Sequence, residues 1–149
     1  MNLNQKTQYA MRAVFELARR EGRGPVKAAD VAEAQAIPLR FLENILNQLK
    51  QGGIVESRRG KEGGYLLSRP SHELTAGDVI GLIDGAVFSV ECDSPSGGDR
   101  CPLRGDCVFL PLWEKARKAL EAVYESTTFK ELVDQDHHRE TGEALTYCI

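Results

Sequence analysis

No cysteine occurs in the first 91 residues of this 149-residue chain, no apolar run exceeds a few residues, and no Cys-x-x-Cys pair occurs anywhere. Runs this short fall well below the ~20 residues needed to span a bilayer. The start, Met1 followed by Asn2, Gln5 and Lys6, is unlike a signal peptide, so the expected location is the cytoplasm. The missing Cys-x-x-Cys pair counts against a thioredoxin-like dithiol and against the tight turns that hold structural zinc. No glycine loop sits between a strand and a helix as a nucleotide phosphate loop requires, and no internal repeat is present. What remains is one domain's worth of chain, 42% hydrophobic and 28% charged, enough to bury a core.

Charge is unevenly placed. Residues 1–75 carry 12 lysines and arginines against 8 acids, and residues 76–149 carry 7 against 14, so a net charge of -3 divides into a basic first half and an acidic second half. The basic half suits a polyanionic partner.

Residues 5–20 place Ala10, Ala13, Val14, Leu17 and Ala18 on one face of an amphipathic helix that ends at Gly22, Gly24 and Pro25. A short helix over 27–35 follows. After a turn at Ala36 and Ile37, Pro38 opens a third helix with Leu42, Ile45, Leu46 and Leu49 inward, ending at Gly52 and Gly53. Strand-like segments at 54–58 and 65–68 flank the glycine-rich 60–64, a hairpin pattern. Thr75 and Asp78 form a capping-box signature for a helix through Ile83, ended by Gly85. Residues 88–108 lose periodicity and are expected to be a long functional loop. Pro111 then opens a final long helix whose broad apolar face, Leu112, Ala116, Ala119, Leu120 and Val123, suits burial against a second copy. From Asp134 the chain reads as a polar, weakly patterned tail.

Two helices joined by a short turn form a helix-turn-helix, which lays its second helix in the major groove of DNA. Opposite the leucines of that helix fall Arg40, Glu43, Asn44, Asn47 and Gln51. Arginine can pair with guanine, asparagine or glutamine with adenine, and glutamate with the cytosine amino group. An ordinary solvated face has the same composition, and the hairpin weighs against it. Arg58, Arg59 and Lys61 sit at its tip among glycines, where a thin backbone can approach phosphates or a minor groove. A basic glycine hairpin after a helix-turn-helix is a winged helix. Lys6, Tyr9 and Arg12 on the first helix are further candidates for phosphate contact or plain surface.

Three of the four cysteines, Cys92, Cys101 and Cys107, lie within sixteen residues, and Cys148 is penultimate. Where disulfides are rare, such a cluster points to a metal, iron–sulfur or redox site, with unliganded thiols as the alternative. Cys107 lies shortly before the Pro111 helix, whose N-terminal dipole favours an anionic sulfur.

Tyr9-Ala10, Gly52-Gly53-Ile54-Val55, the run from Arg58 to Leu67 and the three-cysteine loop followed by Leu112-Trp113 together resemble the bacterial Rrf-two family of winged-helix regulators, over residues 1 to about 134. The resemblance implies a mostly α (α+β) fold: a winged helix-turn-helix over 1–70, a connecting helix over 71–87, a cysteine loop over 88–110, a dimerisation helix region over 111–134 and a polar tail over 135–149. It further implies a cytoplasmic homodimer that binds a two-fold related operator on double-stranded DNA as a repressor. Each subunit would carry an iron–sulfur cluster, [2Fe-2S] or [4Fe-4S], on Cys92, Cys101 and Cys107, with Glu43 and Arg59 at positions linked to base recognition. Two departures leave the fourth ligand open: Leu110 stands where some members have histidine, and Gln8 where others have a carboxylate. Cys148, a small molecule or water would complete the set, whereas His137 and His138 read as solvated tail residues. The rivals are a zinc-stabilised or cluster-free interaction domain and a thiol redox enzyme.

Overall fold

The computed structural model describes residues 3–85 and 106–142, with the element order α1 (Gln5–Arg19), α2 (Ala28–Ala34), α3 (Leu39–Gln51), β1 (Val55–Arg58), β2 (Gly64–Leu67), α4 (Ala76–Asp84), α5 (Leu110–Ser126) and α6 (Phe129–Glu140). The Asn4 side chain caps α1 by accepting from the Thr7 N–H, which satisfies one of the donors a helix start leaves unpaired. Ala10, Ala13, Val14 and Leu17 then pass into the core. The turn from α2 to α3 is made at Ala36, with φ +48°, and closed by the Ile37 N–H on the Ala32 carbonyl at 2.9 Å. Pro38 sits just ahead of the first helical residue of α3, not within it. Leu42, Ile45, Leu46 and Leu49 are all buried, the stripe their spacing predicts. The left-handed residue that ends α3 is Gly53, at φ +73°. It lets the Ile54 N–H turn back to the Leu49 carbonyl at 2.9 Å.

β1 and β2 pair antiparallel with Val55 opposite Leu67 and Arg58 opposite Gly64. Val26, in the link from α1 to α2, adds a third rung: its N–H and carbonyl each bond to Tyr65 at 2.8 Å. Gly64 admits this approach because a Cβ there would lie 2.4 Å from the Val26 carbonyl oxygen. The wing is thereby fastened to the helical body at its base.

Thr75 and Asp78 form the expected capping box at the start of α4, which packs against α1, α3 and α5. Beyond it the structure corrects the reading of one long final helix and a polar tail. α5 stops at Ser126, Thr127 and Thr128 are extended, and a second capping box between Thr128 and Glu131 starts α6, which runs to Glu140. The break is held by residues 74–76: the Ala76 N–H donates to the Thr127 carbonyl and the Phe129 N–H to the Leu74 carbonyl, both at 2.9 Å. α6 returns to α1, burying Phe129 completely and pairing Arg19 with Glu140 at 3.1 Å and Asp136 at 3.7 Å. One core therefore joins the winged helix to α6. Among the described residues no helix is long and apolar enough to cross a membrane.

Candidate nucleic-acid interface

The outer face of α3 is polar and unoccupied. Arg40, Glu43, Asn44, Asn47 and Gln51 are all exposed opposite the buried leucines. Among the described residues no side-chain hydrogen bond or ion pair engages Arg40, Glu43, Asn44 or Asn47, so their side-chain donors and acceptors are available to base edges. Leu39, 42% exposed, and Phe41, 62% exposed, share the first turn of α3. The sequence reading passed over both. Leu39 stands three and seven residues before Leu42 and Leu46, so the stripe spacing alone predicts burial for it, and an apolar side chain beside a polar face suits the methyl group of thymine.

The wing supplies the second surface. Arg58, Arg59 and Lys61 are exposed around its tip. Arg58 lies 3.6 Å from Glu56, an exposed pair of small energetic weight that leaves the guanidinium free to exchange partners. The Lys50 ammonium, in the last turn of α3, donates to Ser57 Oγ of β1 at 2.6 Å. Helix and wing are thus linked by a side-chain bond where they meet. On α1, the Arg12 guanidinium lies 5.6 Å from the centre of the Tyr9 ring, and Gln5 Nε2 donates to the Tyr9 hydroxyl at 3.0 Å. Lys6 is exposed one residue along.

Of the candidate sulfur ligands, Cys92, Cys101 and Cys148 lie outside the described residues. Cys107 is half-buried, forms no disulfide, and stands just before α5, its carbonyl accepting from the Leu110 N–H at 3.3 Å. Phe109, the residue just ahead of α5, provides no side-chain cap. Soft sulfur donors suit iron–sulfur or zinc, so Cys107 fits such a group. Gln8 is committed elsewhere: its Nε2 donates to the Leu3 carbonyl at 2.9 Å. Leu110 is the first residue of α5. His137 and His138 belong to α6, not to a tail; His138 Nδ1 contacts the Asp134 carbonyl at 2.6 Å, and His137 lines a cavity of about 490 Å³ with Arg19, Arg20 and Arg23. Among the described residues no group of three or more His, Cys, Asp or Glu is placed to hold a metal.

α5 has no buried residue in the single chain. Leu112 is 53% exposed and Val123 58%, with Ala119 also exposed between them, while Trp113 and Leu120 are half-buried on the other side. Phe109, largely exposed, stacks on Trp113 at 6.4 Å. Charged pairs flank the apolar strip. Lys118, bonded to Glu114 at 2.8 Å, holds that carboxyl below the usual range, a surface effect without structural weight.

Residues 3–135 match the family model Rrf2, described as an iron-dependent transcriptional regulator. The chain is 35% identical over 137 residues to the transcriptional regulator IscR of Pectobacterium atrosepticum, covering 90% of this chain and 80% of that protein. It is 33% identical over 135 residues to a putative HTH-type transcriptional regulator of Haemophilus influenzae, covering 91% and 88%. Among solved structures it resembles IscR of T. potens, with a TM-score of 0.75 and 28% identity over 99% of this chain and 95% of that one. It also resembles CymR, the global cysteine regulator of B. subtilis, with a TM-score of 0.72 and 28% identity over 91% and 98%.

Proposed function

Given that the chain belongs to the Rrf2 family of DNA-binding transcriptional regulators and is not an enzyme, we propose that it acts as a homodimeric repressor on a two-fold operator, sensing iron–sulfur, redox or nitric oxide status through Cys92, Cys101 and Cys107. The observation that carries the DNA half of this reading is the outer face of α3, exposed, polar and, among the described residues, without side-chain partners at Arg40, Glu43, Asn44 and Asn47, linked to a basic wing through Lys50 and Ser57.

Arg40, Glu43, Asn44 and Asn47 enter the major groove and meet base edges, while Arg58, Arg59 and Lys61 reach the backbone or the adjoining minor groove. The apolar strip of α5 is covered by the same strip of a second copy, which places two α3 helices on one face of the duplex. Cys92, Cys101 and Cys107 hold an iron–sulfur cluster, which when bound supplies a centre sensitive to iron supply, oxidant and nitric oxide. With Gln8 committed to the Leu3 carbonyl, the fourth position falls to Cys148, a small molecule or water. The iron-dependent description of the family supports iron over zinc.

Arg59→Ala should weaken operator binding by ~1–3 kcal/mol at particular base pairs if the guanidinium reads them. If it meets phosphate, the loss is uniform across sequences and the salt slope falls by about one; fluorescence anisotropy on matched and scrambled duplexes at several salt concentrations separates the two. Unaltered affinity and slope would remove the wing from the interface.

Cys107→Ala should abolish the visible absorbance of protein purified under argon while leaving its far-ultraviolet circular dichroism intact. Wild-type holo and apo forms should differ about tenfold in operator affinity, equivalent to ~1.4 kcal/mol of coupling. A colourless, zinc-loaded wild type, or equal affinities of the two forms, would overturn the sensor.

A further inference from the structure

α4 touches both the helix that carries the apolar strip and the helix that faces DNA, and at each contact a glycine brings backbone into the packing. A Cβ at Gly77, in the first turn of α4, would lie 3.3 Å from the backbone nitrogen and Cγ of Glu125 on α5, and 3.4 Å from its Cα. At the other end, a Cβ at Gly52, the residue after α3, would lie 2.3 to 2.9 Å from the Cγ and both methyl groups of Leu82. Gln48 Nε2 of α3 adds a long 3.5 Å contact to the Leu82 carbonyl. Asp84, the last residue of α4, is held on α1 by Thr7 Oγ1 at 3.0 Å and by the Asn4 side-chain amide. At the α5 end the path therefore meets main chain, at Glu125, and at the α3 end the Gly52 main chain seats directly on the Leu82 side chain. Packed interiors transmit displacement because they compress little.

We propose that α4 is the spacer that sets the separation of the two recognition helices in the dimer, with Gly77, Leu82 and Gly52 as positioning residues for the half-site spacing of the operator. This rests on the dimeric, DNA-binding reading above. The scale is sufficient. An alanine Cβ at Gly52 displaces α4 by up to about 1 Å where neighbouring packing holds the Leu82 side chain in place, and two-fold symmetry doubles that to about 2 Å, more than half of the ~3.4 Å rise per base pair. Gly52 has φ −81°, ordinary right-handed backbone, so alanine there acts through its methyl group alone. At Gly77, inside a helix, alanine is the better helix former.

The test uses the full chain and an operator selected by the wild type from a random duplex pool, resynthesised with one base pair removed from or added to its centre, and as a single half-site. Gly52→Ala and Gly77→Ala should each lose about tenfold on the selected spacing and change the ranking of the three spacings, with half-site affinity unaltered. The pair Gly52→Ala, Leu82→Ala should return the wild-type ranking, because the space taken by the new methyl group is given back. Leu82→Ala alone should flatten the preference, a readout that survives if Gly52→Ala proves too unstable to purify. An unchanged ranking in all variants, or equal losses on half-site and full operator, would overturn the inference. A wild type with no spacing preference would instead remove the dimeric reading beneath it.

Discussion

Replacing Leu112 and Val123 together by glutamate should yield a folded monomer whose affinity for the full operator is lower by about two to four orders of magnitude, the advantage that linking two binding modules confers. The two side chains are more than half exposed in the single chain, so the substitutions remove little intramolecular packing. A symmetric interface would contain each of them twice. Fully burying a side chain of this kind contributes ~1.5–3 kcal/mol, and placing unpaired carboxylates there adds a further penalty. Sedimentation equilibrium should show the monomer, circular dichroism an unaltered helix content, and anisotropy a half-site affinity equal to that of wild type. A dimer that survives both substitutions would move the interface away from this face of α5.

Phe129→Ala should cost about 3–5 kcal/mol of folding stability, a large share of the ~5–15 kcal/mol typical of a domain. The ring is fully buried at the first residue of α6, its N–H bonded to the Leu74 carbonyl and its helix started by the Thr128–Glu131 capping box. No alternative anchor of similar size exists on α6 among the described residues, where Val133 is the other buried side chain. The partly solvated pairs of Arg19 with Asp136 and Glu140 would not compensate, since surface pairs contribute at most about 1 kcal/mol each. Urea unfolding should show a lower midpoint with the same slope for a molecule that still unfolds in one step. A loss below about 1 kcal/mol would mean that α6 is not part of the cooperative core.

The winged helix was legible because each of its elements carries its own signal. α1 and α3 have unbroken apolar stripes, and glycines bracket the hairpin. α6 was not, although Thr128 and Glu131 form the same Thr-x-x-acid signature that identified α4. Its twelve residues bury only Phe129 and Val133, too few to set up a helical period against so many charges, and its position depends on residues 74–76 far away in sequence. The apolar run of α5 also extended the reading past Thr127, where backbone bonds to α4 end the helix. At the interface, the partners of the buried stripe on α3 followed directly from helical geometry. The exposure of Leu39 and Phe41 did not, because hydrophobic type suggested burial that no neighbour supplies. The contacts of Gly52 and Gly77 were equally hidden: one reads as a helix terminator and the other as a weak helix interior until α4 is placed in space.

The paired 2.8 Å bonds between Val26 and Tyr65 run through main chain alone. A substitution that keeps the apolar packing of the buried Val26 and the half-buried Tyr65 therefore leaves this rung in place. Under the proposed role, retargeting to new promoters proceeds by exchanging tip and outer-helix residues while the scaffold underneath keeps its shape.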